Sequence, residues 1–87
     1  MKIILLSAAE KQLRKLPKID QLVIAQKIRS IKSPSDFQSE KLAGFNNIYR
    51  IRVGNYRIVY KAIKIAIYII LIQHRKDVYK MLKDLLN

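Results

Sequence analysis

The stretch Asn47 to Tyr60, NIYRIRVGNYRIVY, constrains this chain more than any other. Apolar and polar residues alternate with period two on both sides of Gly54-Asn55. This is the pattern of two strands joined by a two-residue turn with glycine at its first central position. Such a turn fixes the register. Val53 falls opposite Tyr56, Arg52 opposite Arg57, Ile51 opposite Ile58, Arg50 opposite Val59, and Tyr49 opposite Tyr60. Successive side chains point to opposite faces. One face therefore carries Tyr49, Ile51, Val53, Tyr56, Ile58 and Tyr60. The other carries Arg50, Arg52 and Arg57, with Ile48, Val59 and Lys61 around them. Arg52 and Arg57 become a like-charged pair across the ladder, at a cost of about a few tenths of a kcal/mol or more. A fold alone does not ask for such a pair. An anionic ligand does.

The whole chain shares that bias. Eighteen Lys and Arg against six Asp and Glu give a net charge of +12 over 87 residues. A protein so charged is drawn to polyanions, with an association that weakens steeply in salt. Nucleic acid and acidic proteins are the natural partners. The length fits one domain, residues 1–87. With 51% hydrophobic residues the chain is a folding one. It has no cysteine, hence no disulfide framework, thiolate nucleophile or cysteine-held metal. The apolar runs Ile3 to Leu6 and Ala66 to Ile72 are too short for a signal peptide core or a membrane span. A cytoplasmic protein without membrane attachment is the expectation.

In chain order, Lys2 to Leu6 reads as a short strand. Ser7-Ala8-Ala9-Glu10 matches a capping box, so a helix is expected with Ala9, Leu13 and Leu16 inward. Pro17 closes it or opens the next. A second helix is expected from about Lys18 to Ile31, with Ile24, Ile28 and Ile31 as one stripe. Ile19, Leu22 and Val23 lie well round the wheel from that stripe. The favoured expectation is that both surfaces are core, one on the sheet and one on the first helix. An exposed partner-binding strip is the other. Ser33-Pro34-Ser35-Asp36 opens a loop, and Phe37 to Asn46, which has no clear period, reads as a loop that folds back towards the first hairpin strand. Ile63 to Gln73 is apolar on both parities, as in a strand buried on both faces. Its preceding turn is placed within Ile63 to Ala66. His74-Arg75-Lys76 ends that strand. Asp77 then caps a last helix with Val78, Met81, Leu82, Leu85 and Leu86 as its apolar stripe. The expected fold is α+β in the order β-α-α-β-β-β-α. It has an antiparallel sheet, a helical hairpin on one face and a C-terminal helix.

Much chemistry is excluded by what the sequence lacks. No HExxH, no CxxC, no carboxylate cluster and a single histidine speak against a protein-held metal, and no cofactor motif is present. No glycine-rich phosphate loop and no nucleophile elbow occur. What remains is Arg50, Arg52, Arg57, His74, Arg75 and Tyr79. Arginine forks bind phosphate bidentately and keep their charge. They can clamp a phosphodiester and stabilise the extra charge of its transition state. RNA brings its own nucleophile, the 2′-hydroxyl, so cleavage needs only a base, an acid and charge stabilisation. Tyr79 can stack on an unstacked base. Each residue also has a plainer role. His74 can be a packed strand-end histidine, Tyr79 the edge of a helix, and the arginines a solvated face or a dock for an acidic partner. On residue chemistry alone, anion binding stands ahead of cleavage.

LAGFNNIYRIRVGNYRIVY followed by HRKDVY resembles the RelE/ParE superfamily of bacterial and archaeal toxins. The spacings L-x-G, Y-R-I-R-V-G-x-Y-R-I-V-Y and H-R-x-x-V-Y carry the likeness, which spans essentially the whole chain. The resemblance implies a RelE-like toxin domain of a type II toxin–antitoxin module. RelE-like members enter the ribosomal A site and cut messenger RNA without a metal. A small, acidic, partly disordered antitoxin neutralises each, and the complex commonly binds its own operator DNA. By this resemblance Arg57 matches the arginine at the scissile phosphate. Arg75 matches the arginine that stabilises the transition state, and Tyr79 the tyrosine that stacks on or orients the base. Arg50 and Arg52 fall where RelE, the family's best-known member, has two lysines, one a proposed general base. Arginine holds its proton too tightly for that role, so proton abstraction passes to His74 or Tyr79. Arg57, His74, Arg75 and Tyr79 are thus the expected catalytic set, and Arg50, Arg52, Lys41 and Lys61 the expected RNA-binding set. Gln73 stands where many relatives have glycine. ParE-like members share the fold, bind DNA gyrase and lack the RelE catalytic residues; they are the alternative, with a catalytically degenerate basic binding module beyond them.

Overall fold

Strands form on both sides of Gly54-Asn55, in the register that the alternation dictates. The computed structural model describes residues 2–31 and 39–74. Its elements are β1 (Lys2–Leu5), α1 (Ser7–Arg14), α2 (Lys18–Ser30), β2 (Ser39–Lys41), β3 (Ile48–Val53), β4 (Tyr56–Ile63) and β5 (Ala66–His74). All five cross-strand pairs expected of the hairpin are present between β3 and β4. Gly54 has φ +59°, which glycine reaches at no steric cost, and Asn55 keeps a negative φ. The next turn is equally tight. Ile63 pairs with Ala66, leaving Lys64 and Ile65 as a two-residue connection to β5. Neither is a turn-forming residue type, which is why the sequence marks this corner weakly.

The described strands make one sheet in the order β1-β5-β4-β3-β2. Three neighbouring pairs are antiparallel, as expected, but β1 lies parallel to β5. A parallel pairing needs a long crossover connection, and the two helices after β1 belong to it. Ser39–Lys41 folds back against β3 as expected, but as the edge strand β2, antiparallel to β3, rather than as loop. Three residues are too few to show a period. Partners hold it: Leu42 N–H donates to Ile48 O at 2.9 Å, and the Tyr60 hydroxyl donates to Ser39 Oγ at 2.5 Å.

The capping box does not form. Leu6 is the N-cap of α1 and makes no side-chain capping bond. Its own N–H still extends the β1 ladder, donating to Ile69 O at 3.0 Å, so the helix starts directly from the strand. Glu10 turns to Arg14 instead, an exposed ion pair one helical turn away. Pro17 opens α2 as its N-cap. Gln21 in α2 secures the corner by donating to Leu16 O at 2.8 Å. Gln12 Oε1 accepts from Ile72 N at 2.8 Å, serving a strand amide beyond the reach of β1.

The main core lies between helices and sheet, built from Ala9, Ile24, Ile28, Ile51, Ile58, Tyr60, Ile67, Ile69 and Ile72 among others. A smaller cluster on the other side of the sheet joins Ile48, Val59, Ile70 and Leu71 beneath Leu42 and Phe45. β5 is therefore buried on both faces, as its composition requires. The α2 stripe Ile24, Ile28 and Ile31 is buried as expected. The second α2 surface is not core: Ile19, Leu22 and Val23 are 75%, 65% and 48% exposed. α1 packs on β5 while α2 reaches β3, so neither helix covers the other's far side. The expected loop at Ser33 to Asp36 and the expected C-terminal helix beginning at Asp77 lie outside the described residues.

Candidate functional site

The face of the sheet turned away from the helices carries two cross-strand rows. One runs Glu40, Arg50, Val59 and Leu71 across β2, β3, β4 and β5. The next runs Arg52, Arg57 and Gln73. Directly paired residues share a face, and diagonal neighbours sit roughly 7–8 Å apart. Period two thus places three guanidinium groups on two adjacent rungs.

Arg50 is held on two sides. Its side chain is only 14% exposed, resting in the row with Val59 and Leu71. Its Nη2 donates to Glu40 Oε2. The hydrogen bond from Arg50 and then its charge hold the Glu40 carboxyl below the usual carboxylate range. Partial desolvation opposes this, and Arg52 and Arg57 add smaller pulls in the same direction. Glu40 therefore feels all three arginines. Glu40 is absent from the residues expected at the site because three residues carry no strand period; its one signal in the sequence is the charge match to Arg50 once β2 is paired with β3.

The expected site residues do not all come together. Lys61 shares the arginine face, but further along β4, opposite Ile48 and Tyr68. There it borders a groove of about 540 Å³ whose walls include Leu6, Ser7, Ile63, Tyr68 and Ile70. Lys41 pairs with Tyr49 and so takes the other parity, away from Arg50. His74 is the clearest departure. It lies opposite Tyr56 on the helix-facing side, while its neighbour Gln73 takes the place beside Arg57. The cause is a bulge: Val59 pairs with Leu71 and Tyr60 with Ile69, so Ile70 is an extra residue. Without it, His74 would share the face of the arginines. Arg75 and Tyr79 lie outside the described residues.

Around His74 the chemistry is different. Its ring meets Tyr56 edge-on, with centroids 6.1 Å apart and planes at 79°. The Tyr56 hydroxyl donates to Asp20 Oδ2 at 3.2 Å, tying β4 to α2. Burial raises the Tyr56 pKa, and the nearby Asp20 carboxylate raises it further. His74 thus ends a line of groups at the hairpin tip, next to the arginine rows but on the reverse side. Among the described residues no group of three or more His, Cys, Asp or Glu is placed to hold a metal. None of the described helices is long and apolar enough to cross a membrane.

Residues 3–79 match the family described as the ParE toxin of type II toxin-antitoxin systems, parDE. Solved structures share the fold. The Escherichia coli RelE toxin superposes with TM-score 0.74 at 25% identity, covering 99% of this chain and 98% of its own. The RelB-RelE antitoxin-toxin complex from Methanococcus jannaschii gives TM-score 0.67 at 29% identity, over 90% and 96% of the two chains. The RelBE2 toxin-antitoxin complex of Mycobacterium tuberculosis gives TM-score 0.74 at 18% identity, over 85% and 96%. No curated protein matches the chain.

Proposed function

Because the chain belongs to the ParE toxin family of type II toxin–antitoxin systems, in the wider RelE/ParE superfamily, we propose that it arrests growth as a ribosome-dependent, metal-independent endoribonuclease acting on messenger RNA. The observation that carries this reading is the placement of Arg50, Arg52 and Arg57 on adjacent rungs of one face. Three guanidinium groups on adjacent rungs suit a phosphodiester and the added charge of its transition state. Arg57 holds the scissile phosphate, and Arg50 and Arg52 position the strand. Arg75 and Tyr79, carried over from the family motif, supply charge stabilisation and base stacking. Lys61, on the same face, takes an outlying phosphate. For His74 to serve as base or acid, RNA bound at Arg57 must run over the hairpin-tip end of the sheet, where the two faces meet.

The partner in this reading is a small acidic antitoxin, with operator DNA bound through the complex. The exposed apolar strip Ile19, Leu22 and Val23 on α2 supports such a partner, since a basic surface with an apolar stripe suits an acidic amphipathic segment. A second reading has one specific finding in its favour. The family match is to ParE toxins, and ParE-like members act on DNA gyrase rather than RNA. Induction in cells with primer-extension mapping separates the two. Breaks within translated messages, lost in Arg57→Ala, support the nuclease. Intact messages with gyrase-linked DNA breaks support the gyrase reading.

A further inference from the structure

The arginine face is not uniformly cationic. Glu40 stands on it, opposite Arg50 and diagonal to Arg52. Its carboxylate accepts from Arg50 Nη2, within the region assigned above to the RNA backbone. A carboxylate and a phosphate present the same kind of oxygen pair to a guanidinium fork. Both cannot take the same edge of Arg50. We propose that Glu40 is an internal counter-anion that an incoming RNA phosphate displaces from Arg50, so that this carboxylate sets how tightly the face holds RNA. The inference rests on the RNA reading of the face.

The geometry suits displacement rather than permanent occupancy. The two partners are unequally held: the Arg50 side chain is 14% exposed and the Glu40 side chain 57%. Arg50 is fixed in the sheet, while Glu40 lies on the edge strand with room to swing into water. Among the described residues, Glu40 is also the one acidic group of the two rungs, whose cations are Arg50, Arg52 and Arg57. Its carboxylate is held ionised by those arginines, so it competes as an anion over the whole physiological range. Before RNA arrives, Glu40 offsets the repulsion among the guanidinium groups. When a phosphate displaces it, the carboxylate is left beside a polyanion and lowers the affinity. The arrangement favours a ligand with several adjacent phosphates over a single one, because only the former offsets that repulsion through further contacts.

The test is binding of a short fluorescein-labelled oligouridylate to the full-length protein, read by anisotropy at fixed ionic strength. Glu40→Gln is expected to tighten binding by about three- to tenfold, with an unchanged thermal melt, and Glu40→Asp to stay near wild type. Glu10→Gln is the control. It adds the same net charge by opening the exposed Glu10–Arg14 pair on α1, away from the face, and is expected to change affinity less than about twofold. Equal tightening by Glu10→Gln would make the effect one of net charge and overturn the inference. Unchanged or weaker binding by Glu40→Gln, with wild type binding normally, would overturn it alone and make Glu40 a support for Arg50. Failure of every form to bind would overturn it together with the RNA reading.

Discussion

Arg52 and Arg57 stand directly opposite each other on β3 and β4, with Gln73 of β5 completing the rung. Two like charges in direct register weaken the ladder that holds them. The hairpin tolerates this because its other face is strongly apolar, with Ile51, Ile58 and Tyr60 each at most 1% exposed. The packing of the hairpin therefore rests chiefly on the helix-facing side, with a smaller contribution from Ile48 and Val59 on the arginine side, and the Arg52–Arg57 pair belongs to neither cluster. The packing and the pair can be altered separately.

Arg52→Ala is accordingly expected to leave the fold intact and to raise Tm slightly, by about 1–4 °C for a few tenths of a kcal/mol in a domain of this size. Arg57→Ala is expected to keep a cooperative melt. Both variants are expected to lose growth arrest on induction. Thermal melts and growth curves check this pair, and loss of cooperative unfolding in either would make the arginines structural.

Gly54→Ala isolates the turn. The glycine has φ +59°, and a Cβ there would meet no atom within 4 Å. The penalty is thus one of backbone conformation alone, about 1–2 kcal/mol for a residue with a side chain in the left-handed region. Asparagine tolerates that region better, so Gly54→Asn is expected to cost about half as much. Chemical denaturation of both variants measures the difference. Equal costs would show that the turn relaxes rather than strains.

The same hairpin shows what a sequence can reveal. Period two fixed the pairing of β3 with β4, and apolar residues on both parities marked β5 as buried on both sides. β2 escaped because three residues carry no period. The parallel direction of β1 escaped because alternation is blind to strand direction. On α2, the sequence shows two apolar surfaces but not how much of α1 is left to cover the second. At the site, Arg50, Arg52 and Arg57 were legible from parity. His74 was not, since one inserted residue, Ile70, reverses parity for everything after it. Glu40 was illegible for the same reason as β2.

Tyr56 gives a pH prediction. Burial and the Asp20 carboxylate raise its pKa above the ordinary tyrosine value. A group whose folded pKa is raised contributes stability below its unfolded pKa and loses it as pH climbs through the folded one. The contribution should therefore be complete at neutral pH and decline only in the alkaline range above about 10. Phenolate absorbance should show Tyr56 ionising above the ordinary tyrosine range. Asp20→Asn should bring that ionisation down, and Tyr56→Phe should remove it. A titration unchanged by Asp20→Asn would mean that burial alone governs this tyrosine.

The exposed strip on α2 yields the last prediction. Leu22 is 65% exposed, whereas Ile24, two positions on, is 1% exposed in the main core. The same substitution should thus have opposite consequences. Leu22→Glu puts a charge into water and is expected to change stability by no more than about 0.5 kcal/mol. Ile24→Glu buries an unpaired carboxylate and is expected to abolish cooperative folding. If the strip docks the antitoxin, Leu22→Glu retains growth arrest but weakens neutralisation, with affinity falling at least roughly tenfold as for a central apolar anchor. Lysine at the same position separates the causes. Leu22→Lys removes the apolar contact but adds attraction for an acidic partner, so its loss should be smaller than that of Leu22→Glu. Calorimetry with the cognate antitoxin reads both. Wild-type affinity in the two variants would place the antitoxin elsewhere and leave the strip as apolar surface without a partner role.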